Sequence, residues 1–415
     1  MVIYFKPMNK TTKIIIGAII VVMLSAGLFA FLVGRAPKVI VDETGGNGGF
    51  PNTGEVSSRS SSSEKSFSLI KNGDDTKNIL TQLTTDAVSG SAYYGTTTAL
   101  YMERATGNLY KINLDGTEKT RLSNTTIPKI FETLWSYKSD KIMARYFEDA
   151  TQDEIKLNVK TFLAPIGQML KATSTSGMEL KGIALPPTAS EVAVSPAEDK
   201  IFYLSATEDG LTEGVVADFS NKNQKKIFEL PFGEFNASWS TKDNIALLTK
   251  SSFGEKGFLY FLNSKTGALV KILGDINGLT AVVSLDGDKV VFSGMGRQGP
   301  ESKIYNIKTG AFSDLGFLTL ADKCVWGKKN KMPTGRTLYC AVPLGALGAK
   351  QPDDWYKGKV SFSDELWSKN ISTGENKIIL DSFGADIMNI SANADDGYLV
   401  FTNKNDGTLW SLRLH

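Results

Sequence analysis

The stretch AVVSLDGDKVVFSGMGRQGPESKIYNIKTGAF, residues 281–312, decides the fold. It holds three short runs of apolar and β-branched residues, AVVS, KVVFSG and KIYNI. Asp286-Gly287 separates the first two, a polar loop separates the second from the third, and Lys308-Thr309-Gly310 follows. Runs this short between Asp-Gly and Thr-Gly pairs are the sequence form of antiparallel hairpins, because those pairs supply the positive φ that a tight turn demands.

The same pattern recurs on both sides. Its first half returns as WSYKSDKIMARY (135–146), VSPAEDKIFYL (194–204), WSTKDNIALL (239–248) and ISANADDGYLVF (390–401). VWGKKNKMPTGRTLYCAV (325–342) is the same hairpin with a longer turn, and SGSAYYGTTTALYMER (89–104) is a degenerate first copy. Its second half returns as NLYKINLDGTEKTRLS (108–123), FLYFLNSKTGALVKIL (258–273) and ELWSKNISTGENKIIL (365–380). With Ser91, Ser136, Ser195, Ser240, Ser284, Gly327 and Ser391 as marks, the steps are 45, 59, 45, 44, 43 and 64 residues. Four strands in a unit of about 40–45 residues is the pattern of a propeller blade. The sequence therefore predicts an all-β fold, a seven-bladed β-propeller of four-stranded antiparallel blades over roughly 84–415. The last copy, ending in TLWSLRLH, holds only three strands. NILTQLT (78–84) reads like the fourth strand of the first copy and is expected to complete it, closing the ring and removing two open sheet edges.

At this level the chain resembles a known family. VSLDGDKVVF and VSPAEDKIFYL, followed by KIYNIKTGA or LYKINLDGTEKTRLS, are similar to the WD40-like repeats of TolB-type bacterial propellers. ATGNLYKINLDGT (105–117), PKIFETLWS (128–136), KCVW (323–326), LYCAVP (338–343), DDWYKGKVSFSDELW (353–367) and TNKNDGTLWSLRL (402–414) extend the likeness to single-pass bacterial surface propellers. The resemblance covers about 70–415 and implies a bacterial, extracytoplasmic propeller. Pro196-Ala197-Glu198-Asp199 and Thr241-Lys242-Asp243 depart from it by losing the Asp-Gly turn.

Residues 14–33, IIIGAIIVVMLSAGLFAFLV, are uncharged and long enough, at about 1.5 Å per residue, to cross a bilayer core as a helix. Lys6, Lys10 and Lys13 precede them without an acidic residue, which places 1–13 in the cytoplasm and the rest outside. A retained anchor is favoured over a cleaved signal peptide, whose apolar core is shorter. Residues 34–66, rich in Gly, Ser and Asn, read as a flexible linker, and 67–415 as the propeller domain.

Charge is nearly balanced, with 46 Lys and Arg against 44 Asp and Glu, so nothing points to nucleic acid. The single histidine is His415 and there are two cysteines, which argues against His-based triads and against zinc or iron sites. No metal or other cofactor is expected. The turns Asp395-Asp396-Gly397 and 403–407 lack the alternating ligands of a calcium loop. Cys324 and Cys340 flank one hairpin and are expected to sit opposite each other as a disulfide, with buried thiols as the alternative.

The insertion 343–367 breaks the repeat. Its Asp353, Asp354, Trp355 and Tyr356 set acid beside large aromatics, as a ligand or partner loop would, although folding back to cap the blade edge is the preferred reading. The leading expectation for function is a non-enzymatic binding or scaffold module for an envelope protein or glycan. The alternative is a carboxylate-dependent enzyme acting on cell-wall or surface glycans, since paired Asp or Glu do acid-base work without His. The propeller half of a peptidase is disfavoured, because no nucleophile elbow accompanies the repeats.

Overall fold

The structure is a computed structural model describing residues 79–148, 158–172, 177–231, 233–328 and 336–414. The expected transmembrane segment 14–33 and linker 34–66 lie outside the described residues. Among the described residues no helix is long and apolar enough to cross a membrane.

The fold is all-β, built from four-stranded antiparallel sheets in the manner of a β-propeller. The hairpin of 281–312 forms as its sequence predicts. Gly287 takes φ 74°, and the Ser284 hydroxyl accepts the Lys289 amide at 3.0 Å to close the turn. Gly310 takes φ 72°, with the Asn306 side chain accepting the amides of Lys308 and Thr309. The two hairpins without Asp-Gly close by other means. Ser195 Oγ accepts the Glu198 amide at 3.0 Å, and Thr241 Oγ1 accepts the Asn244 amide at 3.1 Å.

Four sheets of four strands are contiguous in sequence, covering 88–121, 130–184, 189–230 and 324–380. One boundary differs from the expected grammar. The strand Leu269–Val283 runs for 15 residues and belongs to two consecutive units, giving a seven-stranded sheet over 235–314. ALVKILGDINGLTAVV has no proline and no tight turn to stop it. Gly278 at φ 64° lets it bend, and its register shifts between Asn277 and Thr280. The remaining sheet holds the strands of 387–413 and is completed by Ile79–Gln82, which pairs antiparallel with Leu409–Arg413 (Leu80 opposite Leu412).

Apolar residues fill each seam between neighbouring units. Leu100 and Met102 meet Ile142 and Ala144, while Met143, between those two, meets Ile201 and Tyr203 on the next unit. Phe202 and Leu204 meet Ile245 and Leu247, and Ala246 and Leu248 meet Val290 and Phe292. Val291 joins Leu338 and Cys340, Tyr339 and Ala341 join Leu399 and Phe401, and Val400 joins Ala99 and Tyr101 of the first sheet. Successive residues of a strand point to opposite faces, so each second strand feeds two seams. That is why these strands are continuously apolar rather than alternating.

Candidate functional site

Strand Cys324–Trp326 pairs with Thr337–Pro343, with Cys324 opposite Cys340, and the two sulfurs are bonded at 2.10 Å. Beyond Pro343 the insertion runs to the strand Asp364–Asn370 and carries one short helix, α1, Asp353–Tyr356. The four candidate loop residues divide. Trp355 turns inward and is 4% exposed, whereas Tyr356 leaves 44% of its surface to solvent. Asp353 binds a neighbouring unit, and Asp354 faces Lys359 at 3.8 Å.

Trp355 rests on a buried ionic cluster. Its indole Nε1 donates to both Asp386 oxygens, at 3.1 and 2.9 Å. Asp386 also accepts Lys323 Nζ at 2.5 Å, and from Ser361 and the Phe362 amide, each at 3.2 Å. Lys323 bridges to Asp364 at 2.8 Å, and all three charged side chains are fully buried. The Lys323 ammonium lies 4.7 Å from the Trp355 ring centre, and Lys404 lies 4.6 Å from it while donating to the Trp355 carbonyl. Cation–π contact and charge pairing together offset the desolvation of Lys323. Burial pushes Asp364 up to about 6, against the pull of Lys323 and of the Ile387 amide. No ligand reaches groups so enclosed, and their role is to hold the insertion down.

Above this platform the insertion meets the loops of other units. The Tyr356 hydroxyl donates to Asp322, which precedes Lys323. Asp353 accepts the Phe253 amide at 2.6 Å, Lys357 Nζ at 3.1 Å and the Ser252 hydroxyl at 3.4 Å. Gly278 lies beneath, where an added Cβ would stand 2.7 Å from the Gln351 carbonyl. The two carboxyls beside Tyr356 are driven apart. Burial raises Asp322 above the ordinary carboxylate range. Burial also pulls Asp353 upward, but the Phe253 amide, Lys357 and Ser252 outweigh it and hold the group below that range. Burial and the local donors thus displace these two carboxyls in opposite directions, the kind of perturbation that marks a candidate functional site. Phe253, 39% exposed, and Tyr356 add an aromatic rim.

Sequence reading pointed to Asp353 and Tyr356 but missed Asp322, Lys323, Asp364 and Asp386. KCVW begins at Lys323 and DDWYKGKVSFSDELW contains Asp364, but nothing in the spacing of either announces a charge cluster.

No protein-family model matches the chain, and no curated protein matches it in sequence. Among solved structures it is similar to an oligogalacturonate lyase from Vibrio parahaemolyticus, at 10% identity and TM-score 0.55, over 82% of this chain and 95% of that one. An oligogalacturonate lyase in complex with manganese matches at 12% identity and TM-score 0.55, over 82% and 94%. TolB from Acinetobacter baumannii matches at 13% identity and TM-score 0.42, over 78% and 64%. Identities this low speak to fold alone. The expectation of a non-enzymatic scaffold is nevertheless corrected. Two structures that match along four-fifths of this chain at TM-score 0.55 are enzymes named for a glycan. Among the described residues no group of three or more His, Cys, Asp or Glu side chains is placed to hold a metal ion.

Proposed function

We propose that the protein is a seven-bladed β-propeller enzyme that cleaves a cell-wall or surface glycan, with Asp322 as proton donor and Asp353 as proton acceptor. The blade count is supported by the succession of filled seams returning to the first sheet, and by Leu269–Val283 serving as the outer strand of one blade and the inner strand of the next. The anchor and linker read from 14–66 hold it outside the membrane.

The observation that carries the reading is geometric: the helix that presents Asp353 to the Phe253 amide, Lys357 and Ser252 also brings the Tyr356 hydroxyl to Asp322. Asp322, whose carboxyl burial shifts toward the protonated form, gives its proton to the glycosidic oxygen as the bond to the anomeric carbon breaks. Asp353, kept ionised by its donors, takes the proton of the attacking water. Tyr356 orients the Asp322 carboxyl, and Phe253 lines the sugar's approach. The lyase folds above lend the choice of a glycan as substrate.

The test is turnover by the full-length protein on a panel of cell-wall polysaccharides that includes oligogalacturonate. Asp322→Asn and Asp353→Asn are each expected to lower kcat by at least about a hundredfold on the active substrate, as for loss of a general acid or base. No turnover on any glycan, or unchanged rates in both variants, refutes the assignment.

A further inference from the structure

A groove follows the seam between the outer half of strand Leu269–Val283 and the hairpin of Lys289–Gly296 with Gly299–Asn306. It has two contiguous lobes of about 420 and 700 Å³, which share Ile276, Glu301 and Lys303. Strand alternation sets Glu301, Lys303 and Tyr305 toward it, while Ser302 and Ile304 are buried on the other face. Tyr305 and Phe312 wall the outer lobe with rings 4.8 Å apart, and Phe312 is 57% exposed. The other lobe is polar, lined by Asn277, Arg297, Gln298 and Asp275, whose carboxylate faces Lys256 at 3.5 Å. An added Cβ at Gly296 would stand 2.5 Å from the Glu301 carboxylate, so a side chain there would displace that carboxylate. That carboxylate is held by Lys303 Nζ at 2.6 Å. Arg297 is exposed and makes no ion pair with a described residue.

One wall of the polar lobe connects through the backbone to the residues that hold Asp353. Asn277 precedes Gly278, whose amide donates to the Ser252 carbonyl at 2.9 Å, and Ser252 and Phe253 both donate to Asp353. We propose that this groove is a subsite holding an acidic glycan strand that leads away from Asp322 and Asp353, a proposal that rests on the glycan reading above. The C–H face of a sugar ring suits the Tyr305–Phe312 wall, and its hydroxyls suit Asn277, Gln298 and Glu301. Arg297, a planar fork of donors without a carboxylate of its own, selects a uronate over a neutral sugar.

Binding is measured by calorimetry on the full-length protein carrying Asp322→Asn, with a galacturonate oligomer and a neutral galactose oligomer of equal length. The acidic oligomer is expected to bind more tightly. Phe312→Ala and Arg297→Gln, both at exposed positions, are expected to weaken it about tenfold each, as for a recognition hot spot. Arg297→Gln should leave the neutral oligomer unchanged. Equal affinity for the two oligomers, no binding of either, or unchanged binding in both variants overturns the groove. Binding that follows these variants without turnover by the unaltered protein sinks the acid-base assignment and leaves the groove standing. Turnover that ignores both variants does the reverse.

Discussion

Replacing Lys323 by Met removes the cation that bridges Asp364 and Asp386, all three fully buried, and breaks contacts of 2.8 and 2.5 Å. Met fills a similar volume, so the loss is electrostatic rather than a cavity. Asp386 keeps Trp355, Ser361 and the Phe362 amide as donors. Asp364 has the Ile387 amide alone and escapes by binding a proton. Because burial already lifts it to about 6, that protonation costs little at pH 7, about 1.4 kcal/mol per pH unit above its pKa. The expected loss is therefore about 3 kcal/mol at pH 7, the low end for breaking a buried pair.

The sign of its pH dependence follows. A raised folded pKa means that Asp364 contributes stability fully below about pH 4, its unfolded range, and loses that contribution as pH rises through about 6. Removing Lys323 raises the folded pKa further and extends this window upward, so the deficit against the unaltered protein shrinks on going from pH 8 to pH 5. Urea unfolding of the full-length protein, followed by tryptophan fluorescence at both pH values, measures it. Adding Asp364→Asn to Lys323→Met removes one of the stranded carboxylates and should recover part of the loss at pH 8. A deficit below about 1 kcal/mol, or one that grows on acidification, would refute the claim that Lys323 is needed to neutralise buried charge.

Three further outcomes are expected. Cys324→Ser with Cys340→Ser should cost about 3 kcal/mol, as for a loop of this size, and a reductant should lower the melting temperature of the unaltered protein but not of the variant. Leu80→Asp puts a charge at a 1%-exposed position of the closing strand and should cost at least about 3 kcal/mol in chemical unfolding; a loss near zero would mean that Ile79–Gln82 does not seal the last sheet. On an active glycan kcat/KM should be bell-shaped. Its acid limb reports Asp353, held below the ordinary carboxylate range, and its alkaline limb reports Asp322, held above it, so Asp322→Asn should remove the alkaline limb alone.

The strands were legible because alternation and turn chemistry are local. Asp286-Gly287 and Thr309-Gly310 announce their hairpins within a few residues, and Ile79–Gln82 was recognisable as a missing fourth strand from its likeness to 119–125. Cys324 and Cys340 could be set opposite each other by counting along two paired strands. What the sequence did not announce was the continuous strand Leu269–Val283, where Gly278 bends the chain instead of breaking it. Nor did it announce the sites, whose residues come from separate loops. Asp353 finds Phe253 across 100 positions, Tyr356 finds Asp322 across 34, and Lys323 finds Asp386 across 63. Strand period is a property of neighbouring residues and survives in one dimension. The pairing of loop charges depends on which units become adjacent and on how far the insertion folds back over them, and only the packed structure fixes both.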